Sequence, residues 1–163
     1  MFIYHICNSN IIAHNHHTNA SSSQHMFYAA SAFNTSLEKW KVSSVKSMDW
    51  MFSGSGYNQP LQAWDVSACT NMSCMFYNTE EFNQQLENWT VGQVNDMESM
   101  FANTDAFNMS LEKWDVSSCE CMTDMFLEAS AFSHEVESWA NWNGKNWKEE
   151  KEEKEEKEEG EED

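Results

Sequence analysis

Large apolar residues recur along this chain at a nearly constant interval. Trp occurs at positions 40, 64, 89, 114 and 139, so the successive spacings are 24, 25, 25 and 25 residues. A Met-Phe pair recurs with the same period and begins at positions 26, 51, 75, 100 and 125. Self-similarity at a fixed period of this length predicts a protein built from stacked repeats.

Each copy of the repeat contains two periodicities. Offsets of 0, 3, 4, 7 and 10 predict one buried face of a short helix, as in Met97, Met100, Phe101, Thr104 and Phe107. The residue before this pattern is a typical helix cap in three copies, namely Ser47, Asn71 and Asp96. In another segment, such as Trp64-Asp65-Val66-Ser67, apolar residues alternate with polar ones, which predicts a short half-buried strand.

These elements predict an α/β repeat solenoid with a leucine-rich-repeat-like architecture, in which every coil has a short parallel strand and one short helix. A single copy is not expected to fold alone, because ordering its backbone costs ~1–2 kcal/mol per residue. Neighbouring copies must therefore cover one another, and their Trp, Met, Phe and Leu columns should form one core. An Asn column is expected to form a hydrogen-bonded ladder through Asn34, Asn58, Asn83 and Asn108.

Composition divides the chain into three regions. Residues 1–25 are predicted to be a poorly ordered leader or an N-terminal cap that is rich in Asn, His and Ser. Residues 26–147 hold four full copies, partial copies at the ends and a Trp-rich C-terminal cap, and residues 148–163 are an acidic Lys/Glu tail.

Charge and hydropathy exclude two classes of partner. The formal net charge is -18 and the chain has no Arg, which argues against nucleic-acid binding. No apolar run approaches the ~20 residues of a membrane span, so insertion into a membrane is not expected. The start lacks the basic region of a signal peptide, so the compartment is left open.

Several strings within the repeat resemble a known family. The copy Tyr57-Asn58-Gln59-Pro60-Leu61, Trp64-Asp65-Val66-Ser67, Cys69-Thr70-Asn71-Met72 and Met75-Phe76 is similar to the unit of BspA-like leucine-rich-repeat surface proteins. The resemblance covers residues 26 to about 139, although Lys41 and Thr90 stand where the family pattern has Asp. It implies a right-handed solenoid and a non-catalytic role in binding or adhesion, at the cell surface or in secreted form.

The sequence predicts neither an enzyme nor a cofactor. It contains no glycine-rich phosphate loop and no nucleophile elbow. Within the repeats there is no His before His134. Repeated acidic residues such as Asp65 and Asp115 fit solvent-facing positions better than a matched acid/base pair.

Metal binding is a weaker alternative. His14, His16 and His17 could bind Zn²⁺ or Cu²⁺, although a His-rich leader without a metal is the commoner case. Cys119 and Cys121 form a Cys-x-Cys pair, which lacks the paired spacing of zinc sites.

Two Cys residues are better explained as part of the core. Cys69 and Cys119 take the place that Val45 and Val94 hold in other copies. They are therefore predicted to be buried, small apolar residues.

The main functional hypothesis is non-catalytic recognition of a protein or a surface glycan. Repeat proteins bind through residues that stack into exposed columns. The predicted contact face consists of Lys41, Ser43, Asp65, Ser67, Thr90, Gly92, Asp115 and Ser117. The two alternatives are a metal-binding protein, based on the leader His or the Cys set, and a fragment of a longer repeat protein, based on the weak N-terminal cap.

Overall fold

The computed structural model describes residues 23–136, together with Trp139 and Trp142. In this part of the chain the copies stack directly on one another. The Phe52 N–H group donates to the Met75 carbonyl at 2.9 Å, and the Phe76 N–H group donates to the Met100 carbonyl at 3.0 Å. Equivalent hydrogen bonds recur at each junction between described copies. The predicted leader, apart from residues 23–25, and the acidic tail lie outside the described residues.

The predicted α/β solenoid of strands and helices is wrong. The described residues contain no helix and no strand. Extended pairing among them is limited to three isolated parallel bridges, Ser47↔Asn71, Asn71↔Asp96 and Asp96↔Cys121. Each copy is instead a series of consecutive turns that forms one layer of the stack.

Backbone hydrogen bonding explains why helical spacing does not produce a helix. The Phe52 and Gly54 N–H groups donate to carbonyls of the next copy, whereas the Ser53 N–H group between them donates to the Trp50 carbonyl. In a helix, every one of these groups would donate to the carbonyl four residues earlier. Because each N–H group makes one such bond, the cross-copy pattern and the helical pattern exclude each other.

Two residues in each described copy have positive φ, and they are always four positions apart. The pairs are His25 and Ala29, Trp50 and Gly54, Cys74 and Asn78, Ser99 and Asn103, and Asp124 and Glu128. A residue with positive φ interrupts a right-handed helix and suits the third position of a type II turn. The spacing of apolar residues carries no signal of this conformation.

The predicted strand segment also forms turns. The Asp65 carboxylate accepts hydrogen bonds from both the N–H and the hydroxyl of Ser67, and the Cys69 N–H group donates to the Val66 carbonyl. Local bonds of this kind turn the chain at each step. The alternation of apolar and polar residues therefore reflects inward and outward positions on turns.

Two of the predicted helix caps form similar turns. Asn71 Oδ1 accepts a hydrogen bond from the Ser73 N–H group at 2.8 Å, and Asp96 Oδ1 accepts one from the Glu98 N–H group at 3.0 Å. A short polar side chain that bonds the N–H group two residues ahead is favourable at turns as well as at helix starts. The predicted local hydrogen bond of the Asn71 and Asp96 side chains is therefore confirmed, and the prediction that a helix begins after them is wrong.

The predicted apolar columns do form one continuous core. The rings of Phe27, Phe52, Phe76, Phe101 and Phe126 stack in order, with neighbouring centroids 5.5–5.7 Å apart. Eight Met residues have no exposed surface, and they are Met48, Met51, Met72, Met75, Met97, Met100, Met122 and Met125. This packing removes from water the apolar surface that a single copy would leave exposed.

Trp side chains add a polar link between copies. The indole Nε1 of Trp89 donates to the Leu61 carbonyl at 3.0 Å, and that of Trp114 donates to the Leu86 carbonyl at 3.0 Å. The buried indole nitrogen therefore has a partner, as buried Trp side chains usually require. Towards the C-terminal side, Trp139 stacks on Trp114 with ring centroids 6.4 Å apart.

The predicted asparagine ladder is confirmed. Asn34, Asn58 and Asn83 each use Oδ1 to accept a hydrogen bond from the backbone N–H group of the next Asn in the column, at 2.9–3.0 Å. Asn108 makes the equivalent bond to the Ser133 N–H group at 3.1 Å.

The shortened copy fits the stack because of one glycine. A Cβ atom on Gly56 would lie 2.2 Å from the Ser31 carbonyl oxygen, so a side chain has no room there.

Candidate recognition faces

The predicted contact face is exposed to solvent. All of its members except the half-buried Gly92 are exposed, namely Lys41, Ser43, Asp65, Ser67, Thr90, Asp115 and Ser117. Neighbouring copies meet on this face, since a Cβ atom on Gly92 would lie 3.6 Å from Asp115 Oδ2. The structure therefore places the Gly92 and Asp115 positions side by side across two copies.

Two carboxylates on this face are held in place by local hydrogen bonds. Asp65 Oδ1 accepts from the Ser67 hydroxyl at 2.6 Å, and Asp115 Oδ1 accepts from the Ser117 N–H group at 3.1 Å. Hydrogen bonds from these serines lower the pKa of both aspartates, because the bonds favour the charged form. The face therefore presents fixed negative charges.

Sequence reasoning missed a second group of side chains, which lies on a different set of columns and is exposed at His25 and Tyr28 and half-buried at Trp50 and Tyr77. It consists of four aromatic rings from three successive copies, and we call it the aromatic strip: His25, Tyr28, Trp50 and Tyr77. The His25 and Trp50 rings stack at 5.9 Å, Tyr28 lies 6.0 Å from Trp50, and Trp50 lies 5.8 Å from Tyr77. Tyr28 has 46% of its surface exposed.

The aromatic strip stands apart from the core columns. Tyr28, Trp50 and Tyr77 do not belong to the hydrophobic core cluster and are not among the half-buried side chains packed on it. A signal for it does exist in the sequence. At the position of Trp50, later copies have Cys74, Ser99 or Asp124, which shows that the repeat itself does not need an aromatic residue there.

Three carboxylates lie near Cys74, the next position after Trp50 in its column. Cys74 follows Trp50 in the same column, and the Trp50 N–H group donates to the Ser73 carbonyl. Burial first, and then the negative charges of Glu98, Asp96 and Asp49, raise the pKa of the Cys74 thiol to about 11. These three carboxylates therefore lie near the end of the aromatic strip.

One group of side chains has atoms placed closely enough to bind a metal ion. Potential ligand atoms of Asp96, Glu98 and Cys121 all lie within 4.8 Å of one another. Part of the group is already engaged, since Asp96 Oδ1 accepts the Glu98 N–H group and Cys121 Sγ lies 3.6 Å from Thr123 Oγ1. The structure thus brings the Cys121 thiol close to the carboxylates of Asp96 and Glu98. The predicted metal alternative at His14, His16 and His17 lies outside the described residues.

The prediction for the other two Cys residues is confirmed. Cys69 and Cys119 are almost completely buried, like Val45 and Val94 in the same column. Burial raises the pKa of both thiols to about 11, which disfavours the thiolate form that binds metals and attacks electrophiles.

A shallow depression of about 260 Å³ lies near the C-terminal side of the described stack, where Ser110, Glu112, His134 and Glu135 contribute to its lining. The Ser110 hydroxyl accepts the Glu112 N–H group at 3.3 Å, and His134 Nε2 lies 3.2 Å from the Asn108 carbonyl oxygen. These groups are bonded to the backbone, and no hydrogen bond joins Ser110 to His134 among the described contacts. The depression shows no nucleophile–base pair of the type used in covalent catalysis.

Comparison with known families gives one result. A family model described as "Mycoplasma protein of unknown function, DUF285" matches residues 4–112 and again residues 53–158. The chain belongs to the DUF285 family. The two matches begin 53 − 4 = 49 residues apart, which equals one repeat of 24 residues plus one of 25. The DUF285 model therefore covers several copies at once and fits this chain in two registers. No curated protein and no solved structure matches the chain.

The described part of this DUF285 member has no helix that could cross a membrane.

Proposed function

We propose that this DUF285 chain is a non-catalytic recognition protein that binds a protein or a surface glycan through the face containing Lys41, Asp65, Thr90 and Asp115. One observation carries the proposal: exposed polar side chains are displayed in adjacent layers on a backbone held by cross-copy hydrogen bonds. When a binding surface is already ordered, association costs less free energy for ordering its loops and side chains. The resemblance of the repeat to BspA-like surface proteins supports the same function.

The charge pattern on this face favours a partner with mixed polarity. Lys41 is followed in the same column by Asp65, Thr90 and Asp115, so a cation stands at one end and carboxylates lie farther along. Charges arranged in this way contribute to the orientation and specificity of binding more than to its strength.

The proposal is tested by neutralising the charges while the turns are kept. The triple variant Lys41→Gln, Asp65→Asn and Asp115→Asn removes the charges, and each Asn retains the oxygen that accepts from Ser67 or Ser117. Immobilised chain is exposed to a surface extract of the source cells, and every captured protein or glycan is then titrated in purified form. The triple variant is expected to bind the cognate partner about tenfold or more weakly.

A matched control changes charges elsewhere. Lys39, Glu81 and Glu112 are exposed, and the variant Lys39→Gln, Glu81→Gln and Glu112→Gln changes the net charge by the same amount. Equal binding by the wild type, the control and the triple variant excludes this face. Loss of binding in both variants alike assigns the effect to net charge and not to the face.

A further inference from the structure

The aromatic strip occupies positions where its bulk does not serve the fold. At the position of Tyr28 and Tyr77, the other described copies have Ser53, Ala102 and Leu127. Small residues at this position are therefore compatible with stacking. Exposed aromatic surface that the fold does not require is typical of an interaction site.

The backbone conformation at Trp50 also indicates that the fold does not require an aromatic residue there. Trp50 has φ of 57°, a conformation that is unfavourable for a bulky L-residue, and the later copies place Cys74, Ser99 and Asp124 in the same conformation. Trp50 therefore stands at a position where a smaller residue would be at least as easily accommodated.

The electrostatic surroundings of the strip determine what kind of partner fits it. Asp49 is adjacent to Trp50 in the chain, and Asp96 and Glu98 reach the same column at Cys74. None of the nine Lys residues occupies the columns that contain Asp49, Trp50 or Tyr77 in the described copies. A row of rings that continues into carboxylates is complementary to a positively charged chain.

From this geometry we infer that the aromatic strip, together with Asp49, Asp96 and Glu98, is a docking surface for a Lys/Arg-rich segment of a partner protein. A guanidinium or ammonium group gains free energy on an exposed aromatic ring, and more where carboxylates lie nearby. His25 and Tyr28 supply the two exposed rings, and the plane of the Tyr28 ring is tilted by 62° from that of Trp50. This surface is separate from the face of Lys41 and Asp65, so either proposal can fail without the other.

The test uses the full chain and a labelled peptide of alternating Arg and Gly, titrated by fluorescence anisotropy at low ionic strength. The strip variant carries Tyr28→Ser, Trp50→Ser and Tyr77→Ala, which are residues that other copies already have in these columns. Loss of each ring contact is expected to weaken binding by about 3-fold to 30-fold. Raising the salt concentration should also weaken the binding of the peptide to the wild-type chain.

A second pair of variants keeps the test decisive if the strip variant does not fold. Asp49→Asn with Glu98→Gln removes two charges near the strip, whereas Glu81→Gln with Glu112→Gln removes two charges elsewhere. The inference holds if the first pair weakens peptide binding severalfold and the second does not.

Three results would overturn the inference. The first is that the Arg/Gly peptide binds no more tightly than a matched Glu/Gly peptide. The second is that both charge pairs weaken binding equally, which indicates a general attraction of the peptide to an acidic chain. The third is that a neutral oligosaccharide, maltoheptaose, binds instead, loses affinity in the strip variant and keeps it in the Asp49/Glu98 variant. That outcome assigns the strip to glycan binding.

Discussion

The side-chain Oδ1 of Asn83 accepts a hydrogen bond from the backbone N–H group of Asn108, one copy further along the chain, at a distance of 3.0 Å. The same bond recurs between the other members of the column. A side chain thus provides an acceptor for the N–H group of the next layer, at a point where no backbone hydrogen bond joins the copies.

Asn83→Ala is expected to destabilise the stack by about 0.5–1.5 kcal/mol, because the Asn108 N–H group loses its acceptor in the neighbouring layer. Chemical denaturation followed by Trp fluorescence measures the change. Asn88→Ala serves as the control, since Asn88 is exposed and its side chain makes no hydrogen bond among the described contacts. Equal stability of the two variants would contradict a structural role for the ladder.

Gly56→Ala is expected to destabilise the protein by about 1–3 kcal/mol or more, because the new Cβ atom would lie 2.2 Å from the Ser31 carbonyl oxygen. The two backbones would have to separate in the copy that has lost one residue. Gly92→Ala is the matched control, since its Cβ atom would meet only the Asp115 side chain, whose nearest atom, Oδ2, lies at the ordinary distance of 3.6 Å. A thermal unfolding curve for each variant tests the prediction, which fails if both melt together.

Ser99→Gly is expected to stabilise the protein by about 0.5–1 kcal/mol. Ser99 has φ of 52°, and Gly adopts this conformation without the steric penalty that an L-side chain carries. The control is Glu98→Gly, since Glu98 does not have positive φ, and this variant should lose about 0.5–1 kcal/mol. Equilibrium denaturation of the two variants should therefore shift in opposite directions, and a shift in the same direction would refute the assignment of the turn.

Ser67→Ala is expected to raise the pKa of Asp65 toward the ordinary value of ~3.9, because the Ser67 hydroxyl is the main group that lowers it. A carboxyl with a lowered pKa in the folded state stabilises the protein at pH values above the unfolded pKa. That contribution is lost as the pH falls through the folded pKa. NMR titration of the Asp65 carboxyl measures the change, and Ser43→Ala should leave it unaltered. An unchanged titration in Ser67→Ala would exclude the hydrogen bond as the cause.

Much of the stack could be predicted because the chain repeats itself. The columns of Trp, Phe, Met and Leu identified the core, since residues at equivalent positions in stacked copies must be neighbours. The buried Cys69 and the Asn ladder followed from the same reasoning. These conclusions depend on register and not on the conformation within a copy.

The helix and the strand could not be excluded in this way. Met97, Met100 and Phe101 point to one side both in a helix and in a series of turns, so their spacing does not distinguish the two. Residues with positive φ would have distinguished them, but nine of the ten described examples are not Gly and therefore leave no clear signal. The aromatic strip could not be predicted from the periodicity, because its residues differ from those at the equivalent positions of other copies.

The sequence by itself determined the period, the membership of the core columns and the position of Asn34, Asn58, Asn83 and Asn108 in one column, since all of these follow from which residues recur. Only the tertiary structure decided the secondary structure and the grouping of His25, Trp50 and Tyr77. The physical reason is that alternate N–H groups find their acceptors in the next copy. A hydrogen bond across more than twenty residues competes with the local helical bond, and that competition is settled only when the copies meet.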